Sequence, residues 1–274
     1  MQGAPAQGPG DEPMWSPMSA TLIYGDEDAV LVDTLLTFDQ VDALADWIEG
    51  FGKQLVGIYI THGHSDHWIG ISRLRERFGP VPAWARPKVY ERAVFEATNP
   101  GLSGYWHGVF PGEIPEKPET PDRLDETTIE LEGSDLNIID IGQGDTADST
   151  ILHVPSIDAV AGGDVVYNGV HMMMGETDGQ SRLDWIANLD RLAALDPQIV
   201  VSGHQRVGAP HDPKSIGESQ QYLRDFSHIV GSEETVDGIV SRMLELHGDR
   251  DNPRVVWHSA REAVKKREEA SRRP

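Results

Sequence analysis

The sequence predicts an α/β protein in which two β-sheets pack together and helices cover them. Three observations predict it. Short apolar runs of strand length alternate with amphipathic helical stretches in two successive blocks, 21–97 and 128–201. No internal repeat and no strong linker separates the blocks, so one layered domain is expected over 14–212. The 274 residues, 38% hydrophobic and 25% charged, supply the core of an ordinary globule. A disordered lead-in is expected at 1–13, and a helical C-terminal extension at 213–274 packs on the same domain.

In chain order, the apolar runs 21–24 and 29–33 flank Gly25-Asp26-Glu27-Asp28 and read as a hairpin. Thr37 or Asp39 can cap a helix running to about Gly50, with Val41, Leu44, Ala45, Trp47 and Ile48 on its apolar face. The run 55–60 is a buried strand. A helix over 68–78 stops at Gly79-Pro80, a short strand covers 81–85, and another helix covers 88–97. Residues 99–121 have no pattern. Pro and Gly recur there around Tyr105, Trp106, His107 and Phe110, as in a lid or functional loop. Strands are expected at 128–131, 136–141, 150–154 and 159–161. A helix over 181–195 places Leu183, Ile186, Leu189, Leu192 and Leu195 on one face, and 198–201 is a last strand. From Pro213 on, helices are broken near Gly231 and across 248–253.

Bulk composition excludes several functions. The formal net charge of −22 repels phosphate backbones, so nucleic acid is not an expected partner. The acidity reads as a solubility surface, and the basic cluster 261–273 as a solvated helix end. Cysteine is absent, which removes disulfides, thiolate ligands and a Cys nucleophile. No apolar run approaches the roughly 18 residues of a membrane helix. The Gly/Pro/Gln-rich start has neither a basic region nor an apolar core, so it is not a secretory signal and a cytoplasmic location is expected.

Chemistry concentrates in Thr61-His62-Gly63-His64-Ser65-Asp66-His67, directly after the 55–60 strand. A lone His in a turn is usually just solvated. Three imidazoles and a carboxylate within six residues can converge on one point, and they suit zinc, iron or manganese. Three further candidates lie just past strand ends: Asp145 in Gly142-Gln143-Gly144-Asp145-Thr146, Asp164 in Gly162-Gly163-Asp164, and His204 in Ser202-Gly203-His204.

This ordered set, over roughly residues 20–210, resembles the metallo-β-lactamase superfamily. T-H-G-H-S-D-H is similar to its H-x-H-x-D-H motif, and G-G-D and S-G-H are similar to its bridging Asp and final His. The resemblance implies a four-layer αββα sandwich, in agreement with the layered reading, with two divalent metal ions at the sheet edge. Zinc is expected, with manganese or iron as alternatives. It also implies that His62 and His64, with the ligand near 145, hold the first ion. Asp66, His67 and His204 would hold the second, and Asp164 would bridge. One position departs from the pattern. The family carries His in a G-H-T segment where this chain reads Gly144-Asp145-Thr146. Asp145 falls in step with the following Asp148-Ser149-Thr150, whereas a two-residue slip would place Gln143 there. A carboxylate is an ordinary ligand and an amide a weak one.

A structural zinc is closed by four ligands, often thiolates, whereas two sets of three with a shared carboxylate leave room for water. The expected function is therefore a dinuclear metal-dependent hydrolase whose metal-bridging hydroxide attacks a small ester, lactone or amide carbonyl. Asp66 is expected to move a proton to the leaving group. Tyr167 resembles the substrate-contacting Tyr of lactone-hydrolysing members, although a packed Tyr explains it equally. His171 with Met172-Met173-Met174 lines a substrate pocket or a plain core loop. His107 is a lid candidate, His153 a half-buried strand residue, and His211, His228, His247 and His258 have no partner pattern. The substrate is expected to be small and neutral or apolar, with no nucleic-acid or membrane partner, and the C-terminal helices offer a lid or homodimer surface. The alternatives are a di-iron redox enzyme resembling sulfur dioxygenases, and a non-catalytic metal-binding protein.

Overall fold

Alternation of side chains along the strands builds the layers. The structure, a computed structural model, describes residues 15–272; the lead-in expected at 1–13 lies outside them. The first sheet contains β1 (Thr21–Tyr24), β2 (Asp28–Val32), β3 (Gln54–Ile60), β4 (Ala83–Ala85) and β5 (Asp122–Arg123), side by side in that order. The β1–β2 hairpin is antiparallel and the remaining pairs are parallel. The parallel pairs need crossovers. Helices α1 (Phe38–Glu49), α2 (Ile71–Phe78) and α3 (Pro87–Thr98) supply them, and α4 (Pro100–Val109) follows. Leu31, Ile58 and Ile60 face α1–α3, packing on Val41, Leu44, Ile48, Leu74 and Val89. Their neighbours Val30, Val32 and Tyr59 point the other way.

That second face meets another sheet. β6 (Thr128–Leu131), β7 (Ser134–Gly142), β8 (Ser149–Val154) and β9 (Ala159–Ala161) form an antiparallel meander. β10 (Tyr167–Asn168) leaves it, and β11 (Ile199–Val201) returns parallel to β9, so the order is β11-β9-β8-β7-β6. β10 pairs in parallel with β12 (His204–Gln205) beside the site. Leu152, Val154, Ala159 and Ala161 pack inward against the first sheet. Ile151, Val160 and Val200 face outward onto α5 (Gly179–Ala193), α6 (Lys214–Ser232), α7 (Val236–His247) and α8 (Arg254–Ser271), where Trp185, Leu189, Tyr222, Phe226, Met243 and Val256 are buried. The four layers are helix, sheet, sheet, helix. No helix of the described residues is long and apolar enough to cross a membrane.

Local signals explain most boundaries. Thr37 and Gln40 form a capping box at the start of α1, and Asp178 and Ser181 form one at α5. Trp47 and Leu183, expected on apolar faces, are exposed. Trp47 rests instead on Phe51, with ring centroids 4.9 Å apart. Two expectations are corrected. The helix expected from Trp68 begins at Ile71, because Ser65–His67 form a 3₁₀ turn and the Trp68 indole N–H donates to the Gly63 carbonyl at 2.9 Å. The patternless stretch 99–121 contains α4. Three glycines give it poor helix propensity. Tertiary packing compensates: Trp106 is buried with Leu36, Ile69 and Ile114, and stacks edge-on with Trp15 at 4.7 Å.

Candidate metal centre

Every strand end that the sequence marks as ligand-bearing opens onto one side of the sandwich. β3 stops at Ile60, and Thr61 is anchored from both sheets. Its N–H and hydroxyl donate to Asp33 at 2.8 and 2.7 Å, while its carbonyl accepts from the N–H and hydroxyl of Thr150 on β8, at 2.8 and 2.7 Å. Asp33 itself holds a left-handed backbone, φ 58°, uncommon for a residue other than glycine. Gly203 lets the β11 end pass over the β9 end. A Cβ there would fall 2.0 Å from Asp164 Oδ1, so no side chain fits.

Of the four groups of three ligand atoms within 4.8 Å of one another among the described residues, two consist wholly of the expected ligands. One holds His62, His64 and Asp145, the other Asp66, His67 and His204. His64 Nδ1 lies 2.9 Å from Asp145 Oδ2, and His62 Nε2 lies 3.9 Å from Asp145 Oδ1. Asp164 stands between the groups. Its carboxylate oxygens lie 3.9 Å from His62 Nε2, 3.4 Å from His67 Nε2 and 3.3 Å from His204 Nε2. Asp66 Oδ2 is 3.6 Å from His204 Nε2.

The second nitrogen of each imidazole is already engaged. His62 Nδ1 meets the Thr61 hydroxyl at 3.1 Å, His67 Nδ1 meets Asp33 at 3.0 Å, and His204 Nδ1 meets the Pro17 carbonyl at 3.3 Å. His64 is reversed, with Nε2 on Glu176 at 3.2 Å. Such outer bonds fix which nitrogen is free to ligate. His62 Nε2, His67 Nε2, Asp145 Oδ1 and Asp164 Oδ1 are buried without a hydrogen-bond partner. Orphaned buried donors and acceptors of this kind are rare and costly. Cations held between the two groups would complete them, so the residues present fit two divalent metal ions.

The electrostatics agree. Burial holds His62 well below the ordinary imidazole range, with neighbouring His67 adding to the depression. Burial also opposes protonation of His67, but Asp164, Asp66 and Asp33 outweigh it and push its pKa up to about 9. His64 is likewise raised, against burial, by Asp145 and Glu176. Burial pushes Asp145 up to about 6. Asp66 is held down at about 2 because the nearby His67 and His204 overcome the cost of burial. In the metal-free protein, protons on His64, His67 and His204 thus offset the carboxylate charge while His62 stays neutral, and a bound cation would displace those protons.

Known proteins resemble this chain in sequence and fold. The family model described as the metallo-beta-lactamase superfamily matches residues 14–204. The chain belongs to the metallo-beta-lactamase superfamily. A "Metallo-beta-lactamase type 2" of Bacteroides fragilis is 23% identical over 195 residues, 70% of each chain. Among solved structures, a metallo-beta-lactamase family protein from Thermus thermophilus matches with a TM-score of 0.66 at 18% identity, covering 93% of this chain and 89% of that one. A metallo-beta-lactamase from Pontibacter korlensis matches with a TM-score of 0.58 at 21% identity, covering 74% and 86%. At these identities the structural matches establish the fold, and the αββα expectation stands.

Within this metallo-beta-lactamase-superfamily fold, all seven expected metal ligands converge: His62, His64, Asp66, His67, Asp145, Asp164 and His204. Gln143 does not join them. Its amide donates to the adjacent Gly144 carbonyl at 2.9 Å. Tyr167 is buried at the centre, donates to Asp164 Oδ2 at 2.7 Å and stacks on His204. Of the two readings of the His171 segment, the core loop is the one seen: His171, Met172 and Met174 are buried, with His171 Nδ1 2.9 Å from the Tyr222 hydroxyl. His107 lies on α4 and, with Ser65, Trp68, Glu96 and Trp106, lines a hollow behind the motif turn. His247, which carried no expected partner, contacts Asp225 at 3.0 Å.

Sequence reasoning missed the outer partners Asp33, Glu96 and Glu176. Asp33 directly follows the apolar run Val30-Leu31-Val32. The rule that found Asp145 and Asp164, an acidic residue just past a strand end, would have found it. Glu96, inside α3, and Glu176, in a loop, carry no such signal.

Proposed function

We propose that the chain is a dinuclear metal-dependent hydrolase of small, neutral or apolar esters, lactones or amides. One observation carries the reading: two three-ligand groups flank Asp164, and His62 Nε2, His67 Nε2, Asp145 Oδ1 and Asp164 Oδ1 are buried between them with no hydrogen-bond partner. His62, His64 and Asp145 would hold one ion, Asp66, His67 and His204 the other, with Asp164 common to both. Divalent cations in such a site, zinc being the ion expected, supply hydroxide at neutral pH and Lewis acidity toward a carbonyl.

The chain's own groups do the rest. Asp66 is ionised at neutral pH, so its Oδ2 can take a proton and deliver it to the leaving group. The Tyr167 hydroxyl donates its one proton to Asp164 Oδ2 and so orients that carboxylate; to reach a substrate oxygen it would have to release this bond. Trp106, Trp15 and Phe110 pack together on Ile69, two residues past the motif turn, and this apolar cluster near the centre would suit a neutral substrate. The −22 charge disfavours polyanionic substrates such as nucleic acids.

A second reading is a di-iron redox enzyme. Each ligand group combines two imidazoles and one carboxylate, the donor set non-haem iron also uses. Chromogenic esters, lactones and β-lactams, assayed on protein of known metal content, separate the two. Cleavage of one class by zinc- or manganese-loaded protein is expected. Iron at stoichiometric level, with oxygen uptake and no hydrolysis, would sink the hydrolase reading.

A further inference from the structure

The four imidazoles of the centre are not held alike. Thr61 and Asp33 belong to the strand ends that build the site, and the Pro17 carbonyl to the segment paired beside β12. His64 is held by a carboxylate from the far half of the chain. We propose that Glu176 is a positioning residue that assembles the first half-site. It fixes His64 as an Nδ1 ligand and clasps the Asp145–Thr146 segment against it. This rests on the dinuclear reading above.

The geometry is specific. Glu176 Oε1 lies 3.2 Å from His64 Nε2, and its Oε2 accepts from the Thr146 hydroxyl at 2.7 Å. One carboxylate therefore ties together the two segments that carry His64 and Asp145, whose ligand atoms face each other at 2.9 Å. Glu176 is itself anchored. Arg92 on α3 reaches its Oε1 at 2.5 Å and Glu96 at 2.8 Å. Buried Glu96 in turn accepts from the N–H and hydroxyl of Ser65, at 2.8 and 2.6 Å. A continuous chain of Thr146, Glu176, Arg92, Glu96 and Ser65 thus brackets the motif turn.

Gly63 is what lets the chain close, because a Cβ there would stand 2.3 Å from Arg92 Cγ. The donor atoms of His64, Glu96 and Glu176 lie close enough to hold a cation of their own. The Arg92 guanidinium bonds both carboxylates and offsets one of their two charges, and Ser65 and Thr146 occupy their other oxygens, so this cluster is a clamp on His64 and not a third metal site. A carboxylate accepting from the non-ligating N–H of a His ligand sets its tautomer and ring orientation, and losing one costs roughly 10–100-fold in metal affinity. Without Glu176, neutral His64 is free to carry its proton on Nδ1 and cease to be a donor.

Zinc titration against a competing chelator tests this, combined with long-range ¹H–¹⁵N correlation of the His64 ring, in the wild-type protein, Glu176→Ala and Glu176→Gln. The wild type is expected to hold two zinc ions with His64 bound through Nδ1. Glu176→Ala should keep one site unchanged and weaken the other roughly 10–100-fold, with His64 losing its single tautomer. Glu176→Gln retains an acceptor for Nε2–H, so it should keep the tautomer and recover part of the affinity; it also serves if the alanine variant does not fold. Unchanged zinc affinity at both sites in both variants, or wild-type His64 bound through Nε2, overturns the proposal. A wild-type chain that binds no second zinc overturns the dinuclear reading and this inference with it.

Discussion

Asp145 is the residue at which this chain departs from the family pattern, and the structure makes its consequence concrete. With a carboxylate there, both ligand groups contain two imidazoles and one carboxylate, joined by a further one from Asp164. Removing it should therefore empty one group only. Asp145→Ala should retain one metal ion per chain and lose more activity than the roughly 10–100-fold that outer-partner changes cost. Gln143→Ala, whose amide bonds its own loop, should retain both ions. Metal analysis of the two variants reads this directly, and the opposite pattern would move the ligand to Gln143. The candidate ligands were legible in the sequence because His and Asp follow strand ends, often beside glycine, and strand ends on one side of a sheet converge. Glu176 was not, because it meets His64 from a loop 112 residues away and sequence spacing carries nothing about that encounter.

At the scale of elements, legibility followed local chemistry. The capping box at Thr37 and Gln40 marks the start of α1 before any packing is known. Thr37→Ala should lower stability by about 1 kcal/mol, leaving the metal centre intact. A urea unfolding midpoint equal to wild type would show that packing of Val41, Leu44 and Ile48 alone holds the helix. α4 is the contrary case. Gly101, Gly104 and Gly108 hide it from propensity. The burial of Trp106 against Trp15, Leu36 and Ile114 supports it, a tertiary effect that no local window contains. The same holds for the start of α2, displaced to Ile71 because the preceding residues are spent on aiming the histidines.

Across the whole molecule, the layered architecture was legible because the strand and helix periodicities fall in two blocks. The helical layer on β9 and β11 carries a consequence for acid stability. His171 is fully buried there, and burial, with Arg250 and His247 adding to it, depresses its pKa from 6.5 to about 4. Tyr222, Asp249 and Asp251 also face it, and they leave that depression in place. The unfolded chain binds a proton at this residue below about pH 6.5 that the folded chain refuses until about pH 4, so stability falls as pH drops through that window and is fully present above it. Urea midpoints for wild type and His171→Gln across this range should show a shallower acid decline in the variant; equal slopes would remove His171 from the account. The dinuclear reading turns on Asp164, whose carboxylate lies between the two ligand groups. Plasma-emission metal analysis of wild-type and Asp164→Asn protein, loaded with excess zinc and dialysed, tests it most directly. The account predicts two ions per wild-type chain and one or fewer in the variant; a wild-type chain holding a single ion, or a variant that keeps both, would contradict it.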